Sequence, residues 1–436
     1  MLKKSCALFA AGLMAAAMWL WVQRVAIPHQ QFESAAKGIP RGNLSDLYPR
    51  WLGARELLLH GRDPYGSDIT REIQTGYYGR PIDPERPNDP KDQQAFAYPL
   101  YIVFVLAPTV GLPFPIAQRI FLWLLVLLTA ASVPLWVRAL GWRLSVAWQL
   151  VWIMLVTGCF PAIQGFKLQQ LTLLVAALVA ASMYWIVRRR MAWAGVLLAI
   201  ASVKPQLVVL VIGWLCLWVI GNWKDRQGLL WSFAAAIAAL VIGAEFLLPG
   251  WIGEFRAASA AYYLYTGGGR SVLDVALTPL GGRAVSVILV GTLFVILWQI
   301  RRAAADTAEF RWALSLVMAT TLVVVPMFAP YNQLLLVPAL LWILQGIQRL
   351  WERNLLSRFL IVLTALAVFW PWLVAGALAV SLAFLPVQVV EKAWTLPLYT
   401  SLAIPVTTVA TLLASKSLLL TKSSAPAPLN RAESLR

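Results

Sequence analysis

The chain has 436 residues, 60% of them hydrophobic, with 22 Trp and a mean hydropathy of +0.72. A soluble domain is roughly 45–50% apolar, so this composition and the repeated apolar runs near the ~20-residue spanning length predict an all-α polytopic membrane protein. The net charge of +17 does not point to nucleic acid, because Lys and Arg sit between the apolar runs, where they set orientation and meet the headgroups of membrane lipids.

Residues 1–27 open with Lys3 and Lys4 and continue as a largely apolar run closed by Trp19 and Trp21. No small-x-small cleavage site is evident, so the run is expected to be an uncleaved first transmembrane helix with a cytoplasmic N-terminus. Residues 28–116 follow as an outer segment. Its stretch 28–95 holds ten of the nineteen acids and nine basic residues, whereas elsewhere basic residues outnumber acids 27 to 9. Phe96–Leu112 could be a further span, but it is short, carries Pro99, Pro108 and Gly111, and as a span would put Arg138, Arg143 and Arg188–Arg190 outside. It is therefore read as a juxtamembrane segment.

The bundle then occupies 117–415, with spans at about 117–137, 144–160, 168–187, 191–203, 205–221, 229–248, 283–300, 311–327, 332–347, 356–380 and 396–415. That makes about twelve spans in a cell (inner or plasma) membrane, with both termini cytoplasmic. The outer loop 249–282 joins the outer segment on the far side, and 416–436 reads as a disordered cytoplasmic tail. Internal or inverted repeats are not apparent.

Polar residues gather in the outward turns. Asp46 follows Ser45 at the start of a helix. An acid there suits a first helical turn equally well, but its place over a membrane bundle makes it a candidate base. Gly61-Arg62-Asp63-Pro64-Tyr65 ends that helix; Gly61 fits a left-handed C′ position, and Asp63 and Tyr65 read as loop-positioning residues. Lys204 lies in Ser202-Val-Lys-Pro-Gln206, between two apolar runs. It could be a snorkelling lysine beside a proline kink, yet an outward lysine opposes the charge rule and calls for an anionic partner such as a lipid phosphate. Gln164, Gln169 and Gln170 bunch with Lys167 at another outward turn and could bind sugar hydroxyls or satisfy a helix end. Arg119 is a second candidate for phosphate. Tyr331 and Asn332, in a polar break, and Arg270, after Gly267-Gly-Gly269, are candidates for sugar or acceptor contacts. The chain carries no P-loop, GxSxG or HExxH. The cysteines Cys6, Cys159 and Cys216 lie far apart and the histidines are His29 and His60 alone, so neither a metal nor another cofactor is expected.

The run Asp46-Leu-Tyr48-x-x-Trp51-x-x-Ala54-Arg55-x-Leu57-Leu58-x-x-Gly61-x-Asp63-Pro64-Tyr65 resembles the first outer loop of glycosyltransferase family 87. Phe96-Ala-Tyr98-Pro99-Leu100 is similar to that family's Tyr-Pro-Pro segment, with Leu100 at the second proline. Gln169-Gln170-Leu171-Thr172 resembles its Gln-x-Asn motif, and Gly195 through Lys204-Pro205-Gln206 its Gly…Lys-Pro turn. The resemblance spans about 40–345. It implies a GT-C-type bundle with juxtamembrane helices, a polyprenyl-phosphate-linked sugar donor (mannose-like), and a lipid-linked or glycan acceptor at the outer face. In that scheme Asp46 is the general base, and Lys204 with Arg119 holds the phosphate. The alternative is a lipid or polysaccharide transporter or flippase, for which polar residues along several spans and pseudo-symmetry are expected.

Overall fold

The computed structural model describes residues 2–36, 45–83, 85–86, 89–265, 269–326 and 328–416. The tail expected to be disordered, from 417 on, and the first residues of the loop at Asn43–Leu44 lie outside the described residues. Among the described residues all regular structure is helical.

The first helix, Leu2–Trp21, passes through a π-helical turn at Val22–Ala26 into Ile27–Ala36. It thus runs past the expected end at Ile27 as far as Ala36. The segment expected to lie outside then folds into two helices, Leu47–His60 and Ser67–Tyr78. Gly61 ends the first in a left-handed conformation (φ 66°), as expected, its N–H returning to Leu57 O at 3.0 Å. Arg62 fastens the pair, donating to Glu56 (2.9 Å), Asp68 (2.8 Å) and Glu72 (2.6 Å).

Residues 96–112 contain one five-residue helix, Ile102–Leu106, and a 3-10 turn at Ala107–Thr109. At 1.5 Å per residue these cannot cross a core of ~30 Å. Phe96, Leu100, Ile102, Val103 and Leu106 are fully buried in one core with Leu47 and Ala54. Trp51 Nε1 donates to Thr109 O at 3.1 Å and Arg55 to Val110 O at 3.1 Å. The outer helices and this strap thus form a single cap on the bundle.

Among the described residues six helices are long and apolar enough to cross a membrane, or eight if two bent pairs each count as one span. The pairs are Val146–Thr157 with Phe160–Leu168, bent by 59°, and Pro330–Gln345 with Ile347–Arg353, bent by 63°. Pro161 in the first turn of Phe160–Leu168 and Gly346 between the second pair lie at the breaks. The chain is a multi-pass membrane protein. The other apolar segments expected as spans fall on shorter helices: Thr172–Val187, Met191–Ala201 and Pro205–Gly221, and Ala308–Val324. Eleven of the sixteen residues of Thr172–Val187 are buried, which is why their apolar character runs all the way round. Trp223–Leu247 and Pro279–Ile300 lie at the periphery, with exposed apolar side chains such as Phe246, Val287 and Phe294 turned outward.

Candidate active site

Where the cap meets the bundle there is a cavity of about 540 Å³. Asp46 and Arg50 enter it from Leu47–His60, and Tyr98 and Pro99 from the strap. Gln170 comes from the turn before Thr172–Val187, and Lys204 from the turn before Pro205–Gly221. Tyr262 and Phe255 come from Trp251–Tyr265, and Tyr331 and Asn332 from the 3-10 segment Pro330–Leu336.

Asp46 precedes the helix with helical dihedrals (φ −62°, ψ −10°), and its side chain caps no backbone N–H. It turns across the cavity instead, where Gln170 Nε2 donates to Oδ2. The carbonyl end of the same amide accepts from Lys204 Nζ at 2.6 Å. One amide therefore joins the carboxylate to the ammonium, and the two charges fix which way the amide faces. Lys204 also donates to Thr172 Oγ1 at 2.8 Å, and the Thr172 hydroxyl in turn donates to Asn332 Oδ1 at 3.0 Å.

Lys204 occupies the turn between Met191–Ala201 and Pro205–Gly221, outside both helices, and is 6% exposed. Its Nζ lies 5.3 Å from the Tyr331 ring centroid and 5.8 Å from that of Tyr98. Burial, followed by the positive charge of Arg50, pushes the ammonium down to about 7, with Asp46 acting in the opposite sense. The Arg50 guanidinium stacks 4.6 Å over Tyr98, and its Nη1 donates to the backbone carbonyl of Asp46. The cavity thus sets Lys204 and Arg50 beside the Asp46 carboxylate, an arrangement suited to an anionic group next to a proton acceptor.

Of the residues singled out from the sequence, Asp46, Gln170, Lys204, Tyr331 and Asn332 line this cavity and the others do not. Arg119 is exposed and donates to Pro115 O at 3.3 Å. It sits on the outer flank of Phe114–Ala139, whose buried face is built from Ala117 and Phe121, so Arg50 replaces it as the second cation of the cavity. Gln169 takes the left-handed position after Phe160–Leu168 (φ 45°) and accepts from Gln118 at 3.1 Å. Gln164 lies inside Phe160–Leu168 with Oε1 buried and unpartnered. Arg270 is exposed and contributes its carbonyl to Phe328 N–H at 3.2 Å. Asp63 Oδ1 accepts from Tyr65 N–H at 2.9 Å, and Tyr65 Oη donates to Tyr98 O at 2.7 Å, which ties the turn to the strap. Among the described residues no three His, Cys, Asp or Glu side chains converge as metal ligands would.

Tyr98, singled out only as part of the Phe96–Leu100 motif, lines the cavity, and sequence reasoning missed Arg50, Asp92, Gln94 and Tyr262, which line it too. The spacing of Asp46 and Arg50, one helical turn apart, was the available signal for Arg50. The others sit in segments whose local pattern is that of an ordinary loop or an amphipathic helix.

A second cavity, of about 180 Å³ and lined almost entirely by apolar side chains, lies among Val146–Thr157, Val337–Gln345 and Leu355–Ser381. Its lining includes Gln333, the neighbour of Asn332.

The sequence model of glycosyltransferase family 87 matches residues 96–330, more than half of the chain. The match takes in Tyr98, Gln170, Lys204 and Tyr262 and begins after Asp46 and Arg50. No curated protein and no solved structure matches the chain significantly.

Proposed function

The chain belongs to glycosyltransferase family 87 and is a membrane glycosyltransferase; from that premise we propose that it transfers a hexose, mannose-like, from a polyprenyl-phosphate donor to a lipid-linked or glycan acceptor at the outer face. The observation that carries this reading is the single amide, Gln170, shared by Asp46 and Lys204 within one cavity. A transporter instead calls for these two charges to stand apart along a polar path.

In this mechanism the donor's phosphodiester lies against Lys204 and Arg50. The acceptor hydroxyl oxygen attacks the anomeric carbon from the opposite face. The bond from that carbon to the phosphate oxygen breaks, and its electron pair leaves with the polyprenyl phosphate. Asp46 takes the hydroxyl proton, so the sugar is transferred with inversion. The two cations stabilise the leaving charge, which grows as the bond lengthens, so they favour the transition state over the ground state. The separate apolar cavity, whose lining includes Gln333, would suit the first units of the prenyl chain.

Replacing Asp46 by Asn keeps the shape and the contact with Gln170 but removes the base. Transfer from a polyprenyl-phosphate hexose should then fall by roughly 10²–10⁴-fold in kcat, with donor binding retained. Undiminished turnover by this variant would remove Asp46 from the role.

A further inference from the structure

The cavity holds a second carboxylate to which the mechanism above gives no task. Asp92 and Gln94 line it from the strap that leads into Phe96. Gln94 is buried and sits at φ 54°, a left-handed conformation that glutamine keeps only when its surroundings hold it there. Asp92 supplies that hold: its carboxylate accepts the Gln94 backbone N–H at 3.0 Å and Nε2 at 2.9 Å. The Ser67–Tyr78 helix pins the same stretch from behind, Tyr78 Oη donating to Asp92 O at 2.7 Å and Gln74 Nε2 to Gln93 O at 3.1 Å. The apolar anchors of the strap begin at Phe96, so core packing does not account for this construction two residues earlier.

Its position does. The same strap carries Tyr98, on whose ring Arg50 stacks, and Asp92 is near enough to act electrostatically on both Arg50 and Tyr262. A sugar whose phosphate rests on Arg50 and Lys204 presents its ring to this wall. A carboxylate beside a primary amide offers acceptors and a donor at fixed spacing, the pairing that suits neighbouring hydroxyls. We infer that Asp92 and Gln94 read the hydroxyls of the transferred sugar and so determine which hexose the enzyme accepts. The inference rests on the polyprenyl-phosphate reading of the same cavity.

The test separates sugar from phosphate. The full chain in lipid nanodiscs is titrated with farnesyl methyl phosphate, a diester without sugar, and with the farnesyl phosphodiesters of mannose, glucose and galactose. The advantage of the best-bound hexose over the methyl diester measures sugar recognition. Gln94→Gly removes the side chain while suiting φ 54°, and Asp92→Asn keeps the shape. Each should cut the sugar advantage by about tenfold, the size of a lost charge-assisted hydrogen bond, and leave the methyl diester's affinity within about twofold. The inference is overturned if the advantage survives in both variants, if the methyl diester weakens in parallel, or if no hexose outbinds it in the wild-type chain. If the wild-type chain does not bind farnesyl methyl phosphate at all, it is the phosphate site that fails, and the inference goes with it.

Discussion

Lys204 is held between opposing demands. Burial favours the neutral amine, whereas an arriving phosphodiester needs the ammonium. With its pKa brought down to about 7, the empty site carries this charge below pH 7 and loses it above. A phosphodiester stays singly negative across that range, so its affinity should fall as pH rises through 7, approaching tenfold per unit on the alkaline side. Titration of a farnesyl phosphodiester between pH 6 and 8.5 measures the slope, and Lys204→Met should flatten it while weakening binding throughout. A pH-independent wild-type curve would count against Lys204 as the phosphate ligand. Arg50 differs in kind: it presents a planar fork and stacks on Tyr98. Arg50→Lys preserves charge but not that geometry, and kcat/KM should drop by about tenfold; equal activity would reduce Arg50 to a charge. At this scale the legible residues were those whose chemistry clashes with an apolar chain. Lys204, Gln170 and Asp46 stood out as polar groups at helix junctions. Arg50 did not, because an arginine on a polar helix looks like a solvated one until its partner across the cavity is known. Arg119 failed for the converse reason: its sequence position at a helix start said nothing of which flank it occupied.

The cap is the element on which the site depends, and Gly53 is where its first helix meets the strap most closely. A Cβ placed there would come within 2.5 Å of Phe96 Cδ2 and 3.1 Å of Pro64 Cβ. Phe96 is fully buried and packs edge-on against Tyr65 at 5.2 Å, so the ring has no free space to retreat into. Gly53→Ala should therefore push the strap outward and cost ~1–3 kcal/mol, the usual penalty of overfilling a packed site. Faster hydrogen exchange across residues 92–101 with lower kcat/KM is the expected pair of results, since Tyr98 and Gln94 ride on that strap. Unchanged exchange would show that the cap absorbs the methyl elsewhere. The helix end at Gly61 and the Asp63-Pro64 turn were readable in the sequence because their backbone chemistry is local. The convergence of strap and helix was not, because it rests on contacts such as Trp51 to Thr109, 58 residues apart.

Across the whole molecule, one helix leads from the cavity to a basic cluster at its far end. Pro205–Gly221 starts beside Lys204 and ends against the backbone of Arg301, a helix of 17 residues and so ~25 Å at 1.5 Å per residue. At that far end Arg226 donates to the carbonyls of Trp218, Arg301, Arg302 and Ala303. Gly141 likewise abuts the Arg311 guanidinium, and Arg353 donates to Ala414 O. Basic residues from distant parts of the sequence thus pair with one another's backbones, and the positive-inside bias predicts that anionic headgroups hold them in the cytoplasm. In the proposed orientation the cavity opens on the other side, where a polyprenyl-linked sugar and its acceptor would be met. The apolar runs made the multi-pass membrane class legible, whereas a count of crossings is harder to read from them, because helices such as Thr172–Val187 are largely buried among neighbours. The orientation has a direct measurement. In a chain with Cys6, Cys159 and Cys216 replaced by Ala, Ser67→Cys, on the exposed face of the cap, should react with an impermeant maleimide on intact cells. Arg189→Cys, in the exposed basic triplet, should react only once the membrane is opened. The reverse pattern would turn the molecule over and put Asp46 on the cytoplasmic side, where a nucleotide-linked sugar is the available donor and the polyprenyl-phosphate reading would have to be abandoned.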